Sequence, residues 1–103
     1  MDKKKIMGLL GMAQRAGMAV SGEFPVQKAL SSDAAAMLLI AEDASERTRE
    51  SLSALARAQG VAIHVLLTKD ELGHCLGKNE RAAAVLLDKG FAKVLEERLQ
   101  GMG

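Results

Sequence analysis

The amino-acid sequence predicts an α/β fold in which one sheet lies between two layers of helices, a three-layer α-β-α sandwich. Apolar runs of strand length alternate along the chain with segments whose apolar residues recur at helical spacing. Such alternation is typical of a mostly parallel sheet that is covered on both faces. The chain has 103 residues, 49% of them hydrophobic, which is enough for one core and too few for two. Residues 1–103 are therefore expected to form a single domain.

The first helix is expected over residues 2–16. Ile6, Leu9, Leu10 and Ala13 recur at helical spacing, and Met12 and Ala16 extend this apolar stripe. Asp2 is a suitable N-cap, and Gly17 is suitable for the residue after the helix end. An extended piece should follow at residues 18–20.

The middle of the chain should contain two helices and two apolar strands. A short helix is expected over residues 23–30, because proline is tolerated in a first helical turn, where Pro25 would lie. The continuous apolar run 36–41 is typical of a strand buried on both faces. An amphipathic helix should follow over residues 46–58, and the next apolar strand over residues 61–67.

The last third should contain two helices separated by a strand. Thr68 and Glu71 have the spacing of a capping box, which predicts a short helix that stops near residue 77. Residues 82–87 form the third apolar run, and a final helix should start after Asp88.

Composition excludes several classes of protein. One cysteine, Cys75, cannot form an internal disulfide and is too little for a thiolate zinc site. No apolar run approaches the roughly 20 residues of a membrane span, so a cytoplasmic protein with no membrane partner is expected. Net charge is +1, from 14 Lys+Arg against 13 Asp+Glu, whereas many nucleic-acid binders are strongly basic.

The sequence does not predict an enzyme, a cofactor or a metal site. It contains no P-loop, no dinucleotide-binding glycine motif and no metal-ligand spacing. His64 and His74 fall in a buried-looking strand and in a short helix, and Cys75 is interpreted as a small apolar filler. The pair Glu42-Asp43 is better explained by stabilisation of the following helix N-terminus than by catalysis.

Three loops are candidates for ligand binding, because each follows a predicted strand. In residues 21–28 a glycine turn opens into a helix N-terminus, which offers free N–H groups, and Lys28 lies one turn further on. Residues 42–49 bring Arg47 and Arg49 to a helix start, and residues 66–69 end an apolar strand, where Leu67 could be exposed to splayed bases. If the three strands run the same way, the loops converge. Taken alone, residues 21–28 are better explained as an ordinary turn with a surface lysine, and residues 42–49 as a solvated helix face. An apolar strand end that runs into an N-cap, as at residues 66–69, is also common.

Several runs resemble the bacterial YlxQ branch of the kink-turn-binding ribosomal protein superfamily, in the right order and over almost the whole chain. These runs are Gly8–Gly17, Ser21–Glu23, Leu39–Ser45, Thr68–Gly73 and Asp88–Ala92. The resemblance implies an α-β-α sandwich around a mixed, about four-stranded sheet. It also implies binding to kink-turn RNA, a sharply bent helix–bulge–helix, with the glycine turn gripping the RNA.

The resemblance assigns RNA-binding roles to particular residues. Gly22 matches the turn glycine, Lys28 the helix lysine, and Val26 the small apolar residue between them. The neighbouring Glu23 and Phe24 belong to the same turn. A second group comprises Arg49, in a third contacting region, and Leu66, Leu67 and Thr68, which match the apolar loop near the extruded base.

One departure from the family pattern concerns residues 24 and 25. Many members carry Asn-Glu after the glycine turn, and those side chains read sheared G·A pairs. Here the residues are Phe24-Pro25, whose side chains neither donate nor accept a hydrogen bond. Weaker or more shape-driven RNA binding is therefore expected.

Two functions remain open at this point. The first is binding of structured RNA, of the kink-turn or ribosomal type, in the translation machinery, where ribosome-associated proteins are further partners. The alternative is a protein-interaction module of that machinery that kept the fold and lost kink-turn specificity. Gly22 and Lys28 favour the first function, whereas the near-neutral charge and an exposed Phe24 would favour the second.

Overall fold

The structure is a computed structural model, and it describes residues 2–101. Within them, five helices alternate with four strands. The elements are α1 (Lys3–Arg15), β1 (Ala19–Ser21), α2 (Glu23–Ser31), β2 (Met37–Ile40), α3 (Glu46–Ala58), β3 (Ala62–Val65), α4 (Lys69–Cys75), β4 (Ala83–Leu86) and α5 (Lys89–Gln100). None of the helices in this part of the chain is long and apolar enough to cross a membrane.

The caps confirm most predicted element boundaries. The Asp2 carboxylate accepts a hydrogen bond from Lys5 N–H, and Gly17 follows the end of α1 with φ +74°. The capping box of α4 is complete, because Thr68 Oγ1 accepts from Glu71 N–H while Glu71 Oε1 accepts from Thr68 N–H. The strands are one or two residues shorter at their ends than the apolar runs that predicted them.

The sheet is mixed, with strand order β1-β4-β2-β3. Strands β2 and β3 are parallel, whereas β4 is antiparallel to both β1 and β2. The prediction of a mostly parallel sheet from element alternation is thus wrong for β4, and the mixed four-stranded sheet implied by the resemblance is confirmed. Strands β1, β2 and β3 run in one direction, so their C-terminal ends and the N-terminal end of β4 share one edge of the sheet.

Alternate residues of the sheet pack against two helical layers, as the sandwich prediction requires. Leu39 and Leu86 pack with apolar residues of α1, α4 and α5, whereas Leu38 and Val85 pack with those of α2 and α3. The buried run of β2 fits this arrangement, because a central strand that is covered on both faces has no solvated side.

The burial predicted for β3 and for the apolar stripe of α1 is wrong in part. Strand β3 is an edge strand, so it is partly exposed, with Val65 49% accessible and His64 half-buried beside the Glu96 carboxylate. Met12 and Ala16 do not extend the buried stripe of α1, because both are exposed, Met12 to 54%.

Candidate nucleic-acid interface

The three candidate loops converge, together with a fourth segment, at one edge of the sheet. We call this region the loop edge. It comprises the residues that follow β1, β2 and β3 and those that precede β4: Gly22–Lys28, Ala41–Arg49, Leu66–Lys69 and Asn79–Ala82. The convergence follows from the strand directions, because Ser21 pairs with Ala84, and Ile40 pairs with both Ala83 and Val65.

Hydrogen bonds donated by backbone N–H groups hold these segments in fixed positions. Glu42 N–H donates to the Leu67 carbonyl at 2.7 Å, and Lys69 N–H donates to the Asp43 carboxylate at 2.8 Å. Arg81 N–H in turn donates to the Lys69 carbonyl at 3.0 Å. The loop after β2 is therefore tied to the loop after β3, which is tied to the segment before β4. A surface fixed in this way needs little ordering when it binds a ligand.

The glycine turn presents backbone donors at the start of α2. Gly22 has φ +96° and ψ 152°, a conformation that essentially only glycine adopts, and it provides no side-chain cap. Pro25 lacks an N–H group, so Glu23 and Phe24 supply the N–H groups of the first turn. Their orientation along the helix axis, at the positive end of the helix dipole, favours a negatively charged or acceptor group of a ligand.

Phe24 and Lys28 form one exposed face of α2. They are four residues apart, so their side chains neighbour each other on the helix surface. Phe24 is 75% exposed, whereas Phe91, the other aromatic residue of the chain, is partly buried. Lys28 is also exposed. Val26 lies between them in sequence but on the opposite face, fully buried against the core. Its predicted RNA contact can therefore come only from the backbone.

The expectation that Leu67 is exposed is wrong. Leu66 and Leu67 are 2% and 0% accessible, because both side chains enter the core formed with α1 and α4. Leu67 adopts φ +64°, which is uncommon for a non-glycine residue and turns the chain so that its carbonyl meets Glu42 N–H. Neither leucine side chain is available for stacking on a base, so a ligand at this loop would meet backbone and the side chains of Thr68 and Lys69.

The Arg49 side chain folds back onto the loop edge rather than extending into solvent. Its Nη2 donates to the Glu42 carbonyl at 3.2 Å, and its Nε is buried without a hydrogen-bond partner among the described residues. A buried donor without a partner is costly, and because this Nε is inaccessible, a ligand could meet the guanidinium only through its Nη atoms. Thr68, by contrast, uses its hydroxyl oxygen to cap α4.

Arg81 also belongs to the loop edge, although no pattern in the sequence indicated it. Its Nε donates to the Ser21 hydroxyl at 3.3 Å, and the position of a Cβ at Gly22 would lie 4.0 Å from this nitrogen. If β4 were parallel to β1 and β2, Arg81, which precedes β4, would lie at the opposite end of the strands. The antiparallel direction of β4 brings Arg81 beside the glycine turn, and the order of apolar runs carries no signal of that direction.

The charge of the loop edge is mixed. Lys28, Arg47, Arg49, Lys69 and Arg81 supply five positive charges, and the acidic side chains of the same segments are Glu23, Glu42, Asp43, Glu46 and Glu80. Hydrogen bonding to Thr68 N–H and the nearby Lys3 ammonium lower the pKa of Glu71, just beyond this edge. A polyanion would therefore meet few unopposed cations, which favours recognition of a shape over general phosphate binding. Among residues 2–101 no cluster of three or more His, Cys, Asp or Glu side chains has a metal-binding arrangement.

Cys75 lies outside the loop edge, against the core formed by α1 and α4. Burial raises the pKa of its thiol to about 11 from an ordinary value of 9.0, and the Sγ–H group donates to the Leu72 carbonyl. We expect a thiol reagent at neutral pH to modify Cys75 about a hundred-fold more slowly than the same chain unfolded in urea, because the thiolate is the reactive form. Equal rates in the folded and unfolded chain would contradict this environment.

Comparison with known proteins decides the family. The model of the ribosomal protein L7Ae/L30e/S12e/Gadd45 family matches residues 4–96. The chain belongs to this family. It is 29% identical to an RNA-binding protein YlxQ of Enterococcus faecium over 97% of this chain and 96% of that protein. It is 34% identical to an RNA-binding protein YlxQ of Bacillus subtilis over 84% and 87% of the two chains. The predicted resemblance to the YlxQ branch is confirmed.

Solved structures show the same fold. A Bacillus halodurans protein of unknown function superimposes with a TM-score of 0.84 at 28% identity, covering 88% of this chain and 92% of that one. The 15.5 kD RNA-binding protein of Giardia lamblia superimposes with a TM-score of 0.74 at 17% identity, covering 89% and 79% of the two chains. At that lower identity the likeness concerns the fold alone.

Proposed function

We propose that this chain binds structured RNA at the loop edge, with kink-turn RNA as the preferred class. The observation that carries the proposal is the convergence of the Gly22 turn, Lys28, Arg49 and Arg81 at one rigid edge. The names of the YlxQ relatives, which describe RNA-binding proteins, support the same function. The predicted non-catalytic role, the cytoplasmic location and the association with ribosomal RNA or ribosomal proteins are parts of this proposal.

The recognition follows from the chemistry of the edge. Backbone N–H groups of the α2 N-terminus meet phosphate or base-edge acceptors, and Lys28 reaches the same region from one turn further along. Arg49 and Arg81 are held by carbonyl and hydroxyl groups of the protein, so their guanidinium groups are positioned before the RNA arrives. Because Phe24 and Pro25 offer no side-chain hydrogen bond, the shape of the bent RNA contributes more than base identity.

A salt titration tests the proposal directly. The affinity for a kink-turn should exceed that for a straight duplex of the same composition, measured by gel shift or calorimetry. Since the loop edge supplies five cations, the logarithm of the affinity should fall with the logarithm of salt concentration with a slope no steeper than about −4.5. Equal binding of both RNAs, or no binding at micromolar protein in low salt, would refute kink-turn recognition.

Lys28→Ala is expected to weaken RNA binding by about 1–3 kcal/mol if the ammonium group meets a base edge, and by less if it meets only phosphate. Lys28 is exposed, so the free energy of unfolding should change little. Lys93→Ala is the matched control, because Lys93 is an exposed lysine of α5, far from the loop edge in the fold. An unchanged affinity in Lys28→Ala, or an equal loss in both variants, would count against this site.

The second candidate function is a protein-interaction module of the translation machinery. The exposure of Phe24 on an edge of mixed charge favours it, because aromatic residues are enriched at the centres of protein interfaces. Phe24→Ala distinguishes the two functions. If the chain is a protein-interaction module, Phe24→Ala should abolish partner binding, and partner binding by the parent chain should depend only weakly on salt. If the chain binds RNA, Phe24→Ala should still bind RNA, with most of the salt dependence of the parent chain.

A further inference from the structure

The helix layer formed by α1 and α5 contains an open groove that lies apart from the loop edge. Its volume is about 790 Å³, and residues of α1 line one side while residues of α5 line the other. The floor is apolar. It is formed mainly by Leu9 and Met12 from α1 and by Phe91 and Val94 from α5.

The apolar side chains of this groove are more exposed than packing within the chain explains. Met12 is 54% accessible and Val94 37%, although Leu9 beneath them is almost fully buried. Gly8 also lines the groove, and a Cβ at this position would have no atom within 4 Å. The two helices therefore leave a space that a further apolar element can fill, and burial of these side chains by a partner would be favourable.

The rim of the groove is basic. Lys5, Arg15 and Arg98 line it, and within residues 2–101 none of the three forms an ion pair within 4.0 Å. Asp88 is the one acidic lining residue, and its carboxylate is used within the chain, where it accepts from Phe91 N–H at 3.0 Å. The lining residues thus carry three positive charges and one negative charge, and the negative charge is that of the N-cap of α5.

The groove and the Gly22 turn lie on opposite faces of the sheet. Helices α1 and α5, which form the groove, pack with α4 on one face. Helix α2, which carries Lys28 and begins after Gly22, packs with α3 on the other face. An occupant of the groove would therefore leave Gly22 and Lys28 accessible.

We propose that this groove is the docking site for an acidic amphipathic helix of a partner protein. The apolar face of such a helix fills the space over Met12 and Val94, and its flanking Asp and Glu side chains meet Lys5, Arg15 and Arg98. A second copy of this chain fits poorly, because a two-fold contact would bring two basic rims together. RNA fits poorly because its phosphates could meet the rim, but its bases would find no hydrogen-bonding side chain on the floor of Leu9, Met12 and Val94. A helix of about 12 residues, roughly 18 Å long, matches the lined part of α1.

A display library of random peptides of about 15 residues, selected on the full chain, tests this interface without a known partner. Selection is counter-screened on the double variant Met12→Glu with Val94→Glu, whose surface positions should leave the fold intact by circular dichroism. Enriched peptides should carry apolar residues at helical spacing flanked by Asp or Glu. They should bind the parent chain about ten-fold or more tightly than the double variant. The variant Lys5→Glu with Arg98→Glu should bind these acidic peptides more weakly. A selection carried out on this variant should enrich Lys-rich peptides instead.

Other results would overturn the proposal. One is that no selected peptide binds the parent chain more tightly than the double variant. Another is that the peptides enriched on the parent chain are rich in Lys and Arg instead of Asp and Glu. A concentration-dependent dimer that the double variant abolishes would assign the groove to a second copy of the chain. Loss of kink-turn binding in the double variant would assign it to RNA. Because RNA binding is measured separately, failure of the groove proposal leaves the loop-edge proposal untouched.

Discussion

Gly73→Ala is expected to lower the free energy of unfolding by about 3 kcal/mol, because among the glycines of residues 2–101 a Cβ at this position would meet the closest backbone atoms. Gly73 is a buried residue of α4, and a Cβ there would lie 2.0 Å from the Asn79 carbonyl oxygen and 2.6 Å from its carbonyl carbon. These atoms belong to the backbone, so no side-chain rotation relieves the clash. A thermal melt should show a decrease of about 15 °C.

Gly8→Ala is the matched control for this prediction. Gly8 is also a helical glycine, but a Cβ there would have no atom within 4 Å. The substitution should raise the free energy of unfolding by about 0.5–1 kcal/mol, because alanine loses less backbone entropy in a helix than glycine does. Equal melting temperatures for the two variants would contradict the close packing of α4 against residues 79–80.

Gly73→Ala should also disturb the loop edge. Asn79 and Glu80 are the residues that an alanine at position 73 would displace, and their carbonyls accept hydrogen bonds from Arg81 Nη1. If Arg81 contacts RNA, Gly73→Ala should weaken kink-turn binding even at temperatures where the variant is folded. Gly8→Ala should leave the affinity unchanged.

Helices and caps could be predicted from the sequence because their determinants are local. The capping box of Thr68 and Glu71 depends on residues three apart, and the N-cap of Asp2 depends on one side chain and the first helical turn. The apolar run of β2 likewise carries its own evidence of burial. Each of these signals lies within one turn or one strand, so a single sequence suffices.

The direction of β4 and the burial of Leu67 depend on distant parts of the chain. An antiparallel β4 has the same apolar composition as a parallel one, so the run 82–87 could not place Arg81 at the loop edge. Leu67 follows a strand in sequence, but its positive φ turns its side chain into the core beneath α4. The convergence of the three loops was predictable because β1, β2 and β3 do run the same way.

The double variant Phe24→Asn with Pro25→Glu is expected to raise the affinity for a kink-turn at least about ten-fold. Both residues are exposed in the first turn of α2, beside the donors of the glycine turn. In the family that the sequence resembles, Asn-Glu at these positions reads sheared G·A pairs, and a well-placed pair of hydrogen bonds to a base is worth about 1–3 kcal/mol. Glutamate in a first helical turn is also favourable, so the fold should persist.

The control variant is Phe24→Ala with Pro25→Ala, which removes the same two side chains without adding hydrogen-bonding groups. The control RNA replaces the G·A pairs by Watson–Crick pairs. The Asn-Glu variant should gain affinity for the kink-turn alone, whereas the Ala-Ala variant should gain for neither RNA. A gain on both RNAs would indicate a general electrostatic or helix effect, although the added carboxylate makes the site less positive and opposes such an effect. No gain for the kink-turn would mean that the backbone of α2 does not approach the G·A pairs, and Phe24 would then be better explained as a protein-contact residue.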